Sequence, residues 1–402
     1  MAHTQSLPQR GDAASRFTVL MLWVLLAVFV VYPLVRLLAM AFTADGSFTL
    51  ENLRPFVESW YDRQAAVNSI LLGCSVGVAG TVLGFIFAFA VTRLSLPKWL
   101  CTAVSAVTLL PLISPPFTSS IALTLSLGPN GILLDFFGLG NFNFYGFWGT
   151  FISETLTFFP VAFMTLSTIL ARIDPNLEDA AYSLGASSFK VFRTVTLPLA
   201  APGIANAFLL VFSCSLADFA TPQVLGGHSF PVLPTQAYLV ITGMYDFKGG
   251  AALSFMLLIP AIIVYSLQRW WVGKKSYVTV SGKAGGRSSV KGPGPLLSSV
   301  IVATVAVVIA FILYLYAIIL TGSLVKVWGV NNEITLENYS YVFTHGSKAI
   351  KDTLLIACIG TPLGGLLAVL VGYATARLKV RGSRILETVS LLNYTLPGTV
   401  VG

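Results

Sequence analysis

The sequence predicts an all-α integral membrane protein, because it carries little charge and contains many long apolar stretches. Of its 402 residues 55% are hydrophobic and 10% are charged, and its mean hydropathy is +0.82. Soluble domains carry about 25% charged residues, so this chain has too little charge to cover a water-exposed surface. A membrane-spanning helix needs about 20 apolar residues. Eight stretches are long enough: Phe17–Phe42, Ala65–Thr92, Leu100–Leu127, Phe147–Ala171, Gly203–Leu225, Ala251–Trp271, Leu296–Val325 and Asp352–Ala376. A ninth stretch begins near Ile385 and is still incomplete at Gly402.

The distribution of basic residues predicts a cytoplasmic N-terminus. If residues 1–16 form a cytoplasmic tail, 17 of the 24 lysines and arginines fall on the cytoplasmic side. Cytoplasmic loops carry such an excess, and it explains the net charge of +8 without nucleic acid as a partner. The first apolar stretch runs through Tyr32, Pro33 and Arg36, and it is longer than the apolar region of a signal peptide. We therefore expect an uncleaved first helix in a multi-pass protein, with the lipid bilayer as its solvent.

Two parts of the chain resemble each other at an offset of about 284 residues. Phe48–Leu53 returns as Ile334–Tyr339, and Asn68–Leu71 returns as Asp352–Leu355. The small residues of the helix that follows also correspond: Gly73, Gly77, Gly80 and Gly84 to Ala357, Thr361, Gly364 and Ala368. They lie on one helix face, where small residues let another helix approach closely. Six apolar stretches precede the second copy, so both copies begin on the same side, which predicts a parallel tandem repeat.

A segment rich in glycine, proline and lysine separates the two copies and predicts a flexible linker. It gives a division into a cytoplasmic tail at 1–16, a first half at 17–272, a cytoplasmic linker at 273–295 and a second half at 296–402. The second half ends within its third helix. We therefore expect the chain to be part of a longer protein that carries the remaining helices.

The connection after the fourth apolar stretch, residues 172–198, predicts two short helices joined by a bend, and we call it the elbow. Asp174 can cap the first helix with Pro175 in its first position. Gly185 can adopt the left-handed conformation that ends it. Ser187 or Ser188 can cap a second helix, which we expect Leu197-Pro198 to stop before the next membrane helix. The elbow is expected to stand out from the cytoplasmic face.

At these residues the sequence resembles the permease subunits of binding-protein-dependent ABC importers. The signature of that family is Glu-Ala-Ala, three residues, glycine, nine residues, and Ile-x-Leu-Pro. The corresponding residues here are Asp179, Ala180, Ala181, Gly185, Val195, Leu197 and Pro198. Asp179 and Val195 depart from the signature, and we expect Glu178 to share the acidic role.

The resemblance implies that the elbow docks into a groove of a separate ABC ATPase dimer, and that a soluble binding protein delivers the cargo. It places the protein in a bacterial inner membrane and gives it no catalytic residues, no cofactor and no resident metal. The sequence agrees, because it contains no G-x-x-x-x-G-K-[ST] loop for binding ATP.

Other segments are similar to the fused, two-copy permeases of the ferric-iron, thiamine and phosphonate type, and most similar to the iron-type members. They include Ala217–Pro222, Val224–Gly227, Tyr245–Gly250 and Tyr277–Lys283. The resemblance extends over nearly the whole chain and implies import of a small solute, with ferric iron the first candidate.

Two carboxylates, Glu154 and Asp218, lie within or at the edge of apolar stretches and are candidates for the translocation pathway, since carboxylates are costly in lipid. Each could instead be a structural group that holds helices together or sits at the aqueous interface. His228 is a candidate cargo contact. The cysteines Cys74, Cys101, Cys214 and Cys358 have no paired spacing and are expected to be small buried hydrophobic residues.

Two other classes of membrane protein remain open on the sequence alone. An ion-coupled secondary transporter explains the helices and the repeat but not the elbow. A membrane scaffold without transport activity is the second alternative. Uptake that requires both ATP and a soluble binding protein separates an importer from both.

Overall fold

The computed structural model describes residues 13–44, 46–115, 117–129, 131–138, 143–274, 294–376, 385–386 and 389–390. The α-helices in these ranges are α1 (Ala13–Leu26), α2 (Tyr32–Phe42), α3 (Arg54–Glu58), α4 (Trp60–Arg93), α5 (Lys98–Ile113), α6 (Phe117–Leu127), α7 (Ile132–Phe137), α8 (Phe147–Arg172), α9 (Pro175–Ser183), α10 (Ser188–Val191), α11 (Leu197–Ala217), α12 (Ala220–Leu225), α13 (Leu233–Gly243), α14 (Phe247–Lys274), α15 (Pro295–Ser323), α16 (Glu337–His345) and α17 (Ser347–Ala376). The π-helical turns Ala27–Val31 and Phe192–Thr196 and the 3-10 turn Glu51–Leu53 connect some of them. Two antiparallel hairpins pair β1 (Thr43–Ala44) with β2 (Ser47–Phe48) and β3 (Val325–Val327) with β4 (Asn331–Ile334).

The helices confirm the predicted all-α membrane architecture. Eight segments in the described ranges are long and apolar enough to cross a membrane: Phe17–Phe42, Trp60–Arg93, Phe117–Leu134, Phe147–Arg172, Ser188–Ala217, Phe247–Val264, Pro295–Ser323 and Ser347–Thr375. The N-terminal tail at 1–12, almost all of the expected linker and most of the ninth apolar stretch lie outside the described residues.

The third predicted membrane helix, Leu100–Leu127, is wrong as a single helix. It consists of α5 and α6, separated by a break at Ser114 and Pro115. A residue that precedes proline is disfavoured in the α-helical region, and Ser114 has the extended dihedral ψ of 153°. Pro115 thus explains a break that hydropathy does not reveal.

The fifth predicted membrane helix, Gly203–Leu225, has both boundaries wrong. The helical run begins at Ser188 and ends at Ala217, and residues 220–225 form the separate helix α12. Asp218 ends the run with an extended ψ of 123°. Its Oδ1 accepts a hydrogen bond from the backbone N–H of Ala220 at 2.9 Å, a donor at the start of α12 that has no partner in the preceding helix.

Helix α4 packs against α8 and α11 through its face of small residues, as the sequence predicts. A Cβ atom added at Gly77 would lie 2.8 Å from the Phe208 ring of α11. At Gly84 it would lie 2.6 Å from Cβ of Ala162 and 2.7 Å from the backbone nitrogen of Phe163, both on α8. The absence of side chains at these positions therefore brings the three helices into close contact, and most of the buried apolar residues surround them.

The corresponding face of α17 is uncovered in the described part of the chain. Among the described residues, no atom lies within 4 Å of a Cβ built at Gly360, Gly364 or Gly365. Within that part of the chain, the small-residue face of α4 has helical neighbours, whereas these glycines of α17 have none.

The first membrane helix and α15 each pack on a part of the chain distant in sequence. Tyr316 of α15 is hydrogen bonded to Ser114, and Tyr314 is hydrogen bonded to Ser126 of α6 at 2.8 Å. Leu22 and Leu26 of α1 form an apolar cluster with Ala374 of α17. Helices of the N-terminal part therefore pack directly against helices of the C-terminal part.

The turns that follow these two helices have matching hydrogen bonds. Asn52 donates its side-chain amide to the carbonyl of Thr43 at 3.2 Å, and Asn338 donates its amide to the carbonyl of Val325 at 2.9 Å. Thr49 accepts the backbone N–H of Glu51, and Thr335 accepts that of Glu337. The repeated sequence thus forms the same local structure twice.

Candidate functional site

The first half of the elbow has the local structure that the sequence predicts. The Asp174 side chain caps α9 by accepting the backbone N–H of Asn176 at 3.0 Å, and Pro175 occupies the first helical position. Gly185 follows the helix with φ of +83°, which is accessible to glycine at little cost. The backbone N–H of Ala186 then bonds to the carbonyl of Ala181 at 3.1 Å. These contacts all form between residues of the elbow itself.

The second half of the elbow corrects the prediction that Leu197-Pro198 stops a helix. Ser187 caps α10, and the chain then continues through the π-helical turn Phe192–Thr196 directly into α11. Proline lacks a backbone N–H and clashes with a carbonyl one turn earlier. Pro198 lies in the first turn of α11, after the wider π turn, where this clash is relieved. The elbow is thereby joined to α11 without an intervening loop.

Glu178 points into the protein rather than outward. Its Oε1 lies 3.4 Å from Nη2 of Arg93, at the end of α4, and the side-chain exposures of Arg93 and Glu178 are 5% and 4%. The same Oε1 accepts a hydrogen bond from the hydroxyl of Thr196 at 2.8 Å. We call these three residues the Arg93 cluster. It connects α9, α4 and the π turn before α11.

The bend of the elbow exposes two large apolar side chains. Leu184 and Phe189, on either side of Gly185, are 88% and 65% exposed. Of the residues that match the family signature, Ala180, Gly185, Leu197 and Pro198 are exposed, and Asp179, Ala181 and Val195 are half-buried. Sequence reasoning did not single out Leu184 and Phe189, although two large apolar residues beside a glycine in a polar connection are a usable signal. We call Leu184, Gly185 and Phe189 the elbow tip.

The two candidate carboxylates lie together near the other end of α8 and α11. Ser215 of α11 donates its hydroxyl to Oε2 of Glu154, and its carbonyl accepts the backbone N–H of Asp218 at 3.1 Å. Glu154 is completely buried and Asp218 nearly so. One oxygen of each carboxylate, Oε1 of Glu154 and Oδ2 of Asp218, is buried without a hydrogen-bond partner. A sequence cannot show this pairing, because the two residues are 64 positions apart.

A band of buried hydroxyl groups extends from Glu154 along the contact between α6 and α8. Ser153 is hydrogen bonded to Ser120 at 3.2 Å, and Thr157 donates to Ser119 at 3.2 Å. Such groups are costly in an apolar interior unless they are paired. These hydroxyls and the two carboxylates are buried polar groups within a largely apolar helix bundle.

The remaining candidates form no site within the described residues. No group of three or more histidines, cysteines, aspartates or glutamates there is placed to hold a metal ion. Cys74 and Cys358 are exposed on helix surfaces and Cys101 and Cys214 are half-buried, so the expectation that all four are buried is wrong.

Comparison with known proteins identifies the family. Residues 80–276 match the family described as "Binding-protein-dependent transport system inner membrane component". The chain is 34% identical over 404 residues to the putative ferric transport system permease protein FbpB 1 of Haemophilus influenzae, covering 98% of this chain and 63% of that protein. It is 35% identical to the ferric transport system permease protein FbpB of Actinobacillus pleuropneumoniae, covering 98% of this chain and 58% of that one. The chain thus spans about six-tenths of the length of these curated relatives.

The fold also matches a solved transporter. A bacterial alginate ABC transporter, crystallised in complex with an alginate pentasaccharide-bound periplasmic protein, contains a chain with a TM-score of 0.58 to this one. The match has 15% sequence identity and covers 67% of this chain and 97% of that chain, so it supports the fold alone. Through residues 80–276, the chain belongs to the family of binding-protein-dependent transport system inner membrane components.

Proposed function

We propose that this chain forms part of the membrane pathway of an ATP-driven importer for ferric iron, and that a separate ATPase dimer drives it through the elbow. A soluble binding protein delivers the cargo on the opposite side of the membrane. The chain itself performs no covalent chemistry. The N-terminus and the elbow then lie on the cytoplasmic side, in agreement with the excess of basic residues there.

The geometry of the elbow is the observation that carries this proposal. Capping at Asp174 and the turn at Gly185 make the bend rigid, and both of its ends continue into membrane helices, α8 through Ile173 and α11 through the π turn. Its tip exposes apolar side chains that a protein groove can bury. The tip is therefore connected to two membrane helices through helical turns and the short link at Ile173 and Asp174.

The proposed assembly contains two such halves in tandem. Support comes from the matched turns at Asn52 and Asn338 and from the uncovered small-residue face of α17. In a complete second half, helices equivalent to α8 and α11 would cover that face. A second elbow would then engage the other subunit of the ATPase dimer.

We propose further that Glu154 and Asp218 line the pathway for a cationic cargo. A carboxylate inside a membrane protein is a functional candidate because its desolvation is costly. Carboxylate and hydroxyl oxygens are suitable ligands for hard cations, and both carboxylates have an oxygen without a partner. The cargo assignment draws on the names of the ferric transport relatives.

Uptake into proteoliposomes tests the proposal. The transporter containing this chain is reconstituted with its ATPase, ATP is enclosed in the lumen, and iron-loaded binding protein is added outside. We expect iron to accumulate only when ATP and binding protein are both present. Uptake that proceeds without ATP and is abolished by a protonophore would show an ion-coupled secondary transporter instead.

A charge-reversal variant tests the elbow itself. Asp179→Lys combined with Ala181→Arg adds bulk and positive charge to the docking surface and is expected to abolish both ATPase co-purification and uptake. Glu58→Lys is the control. Glu58 is an exposed carboxylate just before the first residue of α4, and the elbow contacts the other end of that helix. Undiminished co-purification and uptake in the double variant would contradict the docking role.

A further inference from the structure

The Arg93 cluster connects the elbow to a membrane helix that is not its neighbour in the sequence. The elbow follows α8 and precedes α11, so the backbone already joins it to those two helices. Arg93 ends α4, which lies 85 positions before Glu178. The ion pair is thus a buried polar link between α9 of the elbow and α4. Phe192, in the π turn, adds an apolar link through its ring contacts with Phe85 and Phe89 of α4.

From this placement we infer that Arg93 is a positioning residue for coupling: it fixes the elbow to α4, so that a displacement of the elbow moves α4, α8 and α11 as one body. The inference rests on the proposed function of the elbow and adds a residue outside its signature. It also assigns Glu178 an internal role, whereas the sequence pattern had placed this carboxylate among the residues that serve the ATPase contact.

The burial of the pair distinguishes it from an ordinary surface ion pair. Arg54 and Glu58 form an ion pair at 2.7 Å whose side chains are 66% and 62% exposed. Exposed pairs contribute little because water screens them. Arg93 and Glu178 are shielded from water, so loss of one partner leaves an uncompensated buried charge on the other.

The position of Arg93 in α4 strengthens the link. It lies in the last turn of the helix, where the partial negative charge of the helix end favours a cation. The Thr196 hydroxyl holds the Glu178 carboxylate from the other side. One carboxylate oxygen thus receives a contact from α4 and a contact from the π turn before α11.

The packing of α4 explains why this connection transmits motion. Gly77 and Gly84 bring α4 into direct contact with α11 and α8, so α4 cannot slide along either without displacing a Phe208 ring or the backbone of Ala162. Without Arg93, a displacement of the elbow would reach α11 mainly through the π turn that joins α10 to α11. A π turn is a wider and less regular helical turn, and it would absorb part of the displacement.

Substitutions that break the cluster are expected to uncouple ATP hydrolysis from uptake. Arg93→Gln should lower iron uptake by about tenfold or more, because a buried pair loses one partner, whereas co-purification of the ATPase and its hydrolysis rate should stay within about twofold. Arg93→Lys keeps a cation and should retain more uptake than Arg93→Gln. Thr196→Val removes only one hydroxyl and serves if Arg93→Gln does not accumulate in the membrane. Arg54→Gln breaks the exposed pair and is the matched control.

Hydrogen exchange of the purified protein supplies a readout that does not depend on transport. Arg93→Gln and Thr196→Val should accelerate amide exchange in residues 175–196, and Arg54→Gln should not. Unchanged exchange in residues 175–196 would overturn the positioning role. Failure of the wild-type protein to import iron would refute only the proposed function, and the exchange experiment would still test the positioning role. Wild-type uptake by Arg93→Gln, or parallel loss of uptake, hydrolysis and co-purification, would also overturn it.

Discussion

Gly84 offers a quantitative test of the packing between α4 and α8. Substitution by alanine in a helix ordinarily stabilises it by about 0.5–1 kcal/mol, because glycine loses more conformational entropy on folding. Here the added Cβ would lie 2.6 Å from Cβ of Ala162 and 2.7 Å from the backbone nitrogen of Phe163, both far below ordinary contact distance. These atoms cannot rotate away as the end of a flexible side chain can.

The two helices must therefore separate to admit the methyl group. Inserting a methylene-sized group into a well-packed core costs about 1–3 kcal/mol. Because the clash involves backbone atoms, the upper half of this range applies, about 2–3 kcal/mol. Subtracting the gain in helix propensity of about 0.5–1 kcal/mol leaves a net destabilisation of about 1–2.5 kcal/mol, which is roughly a 5- to 70-fold change in the unfolding equilibrium.

The assay is unfolding of the purified protein in detergent, followed by size-exclusion chromatography after heating or after addition of denaturant. Gly243→Ala is the control because Gly243 ends α13, does not have a positive φ and has no atom of the described chain within 4 Å of a built Cβ. We expect the control to be as stable as the wild-type protein or slightly more stable. Equal stability of Gly84→Ala and wild type would refute the close-packing argument.

Four further predictions address the elbow, the linker, the pathway and the repeat. Gly185→Val forces a β-branched residue into a left-handed conformation at a cost of about 1–2 kcal/mol, and should lower uptake at equal membrane levels; Gly185→Pro should abolish it. A protease site inserted near Gly285 should leave uptake intact after cleavage, since loop closure depends weakly on length; loss of uptake by folded protein would indicate a regulatory role. Glu154→Gln keeps the Ser215 hydrogen bond but removes the charge, so iron uptake should fall while thermal stability holds; unchanged uptake would make the carboxylate structural. No atom of the described chain lies within 4 Å of a Cβ built at Gly364, so loss of stability in the assembled transporter on Gly364→Leu would reveal the helices expected to cover α17, and unchanged stability would count against the tandem repeat.

Local chemistry made part of the elbow predictable from the sequence. A capping aspartate followed by proline, and a glycine at the end of a short helix, act on backbone groups within a few residues. The structure forms these contacts at Asp174 and Gly185 as expected. Hydropathy likewise indicated the membrane helices, because every segment that crosses lipid must be apolar on its surface and must pair its own backbone groups.

Two wrong predictions arose because the effect of a proline on the local backbone was misjudged. Leu197-Pro198 was expected to interrupt the chain, but the preceding π turn accommodates the proline and lets α11 begin. In the third membrane helix the opposite error occurred, because Pro115 was treated as one residue of an apolar run. A proline therefore predicts a local rearrangement, and neighbouring residues decide whether the chain bends or continues.

The remaining features are non-local and leave no mark on a single sequence. Glu178 is directed inward by an arginine at the end of a different helix, and Glu154 meets Asp218 through Ser215. A pattern within either segment predicts that the carboxylate matters, but not what it contacts. Only packing of the helices determines those partners.

The pairing of α15 with α5 and α6 has a consequence for the order in which the protein is inserted into the membrane. The hydroxyls of Ser114 and Ser126 bond to tyrosines that the ribosome makes 202 and 188 residues later. Ser114 also donates to the carbonyl of Leu110 in its own helix, so it has a partner from the start. Until α15 emerges, Ser126 lacks its tyrosine partner, and polar groups facing lipid are costly. The N-terminal helices must therefore stay close to the insertion machinery, or protect these groups temporarily, while the linker is translated. Completion of the first bundle is thus a late event in biosynthesis, although its own helices are made early.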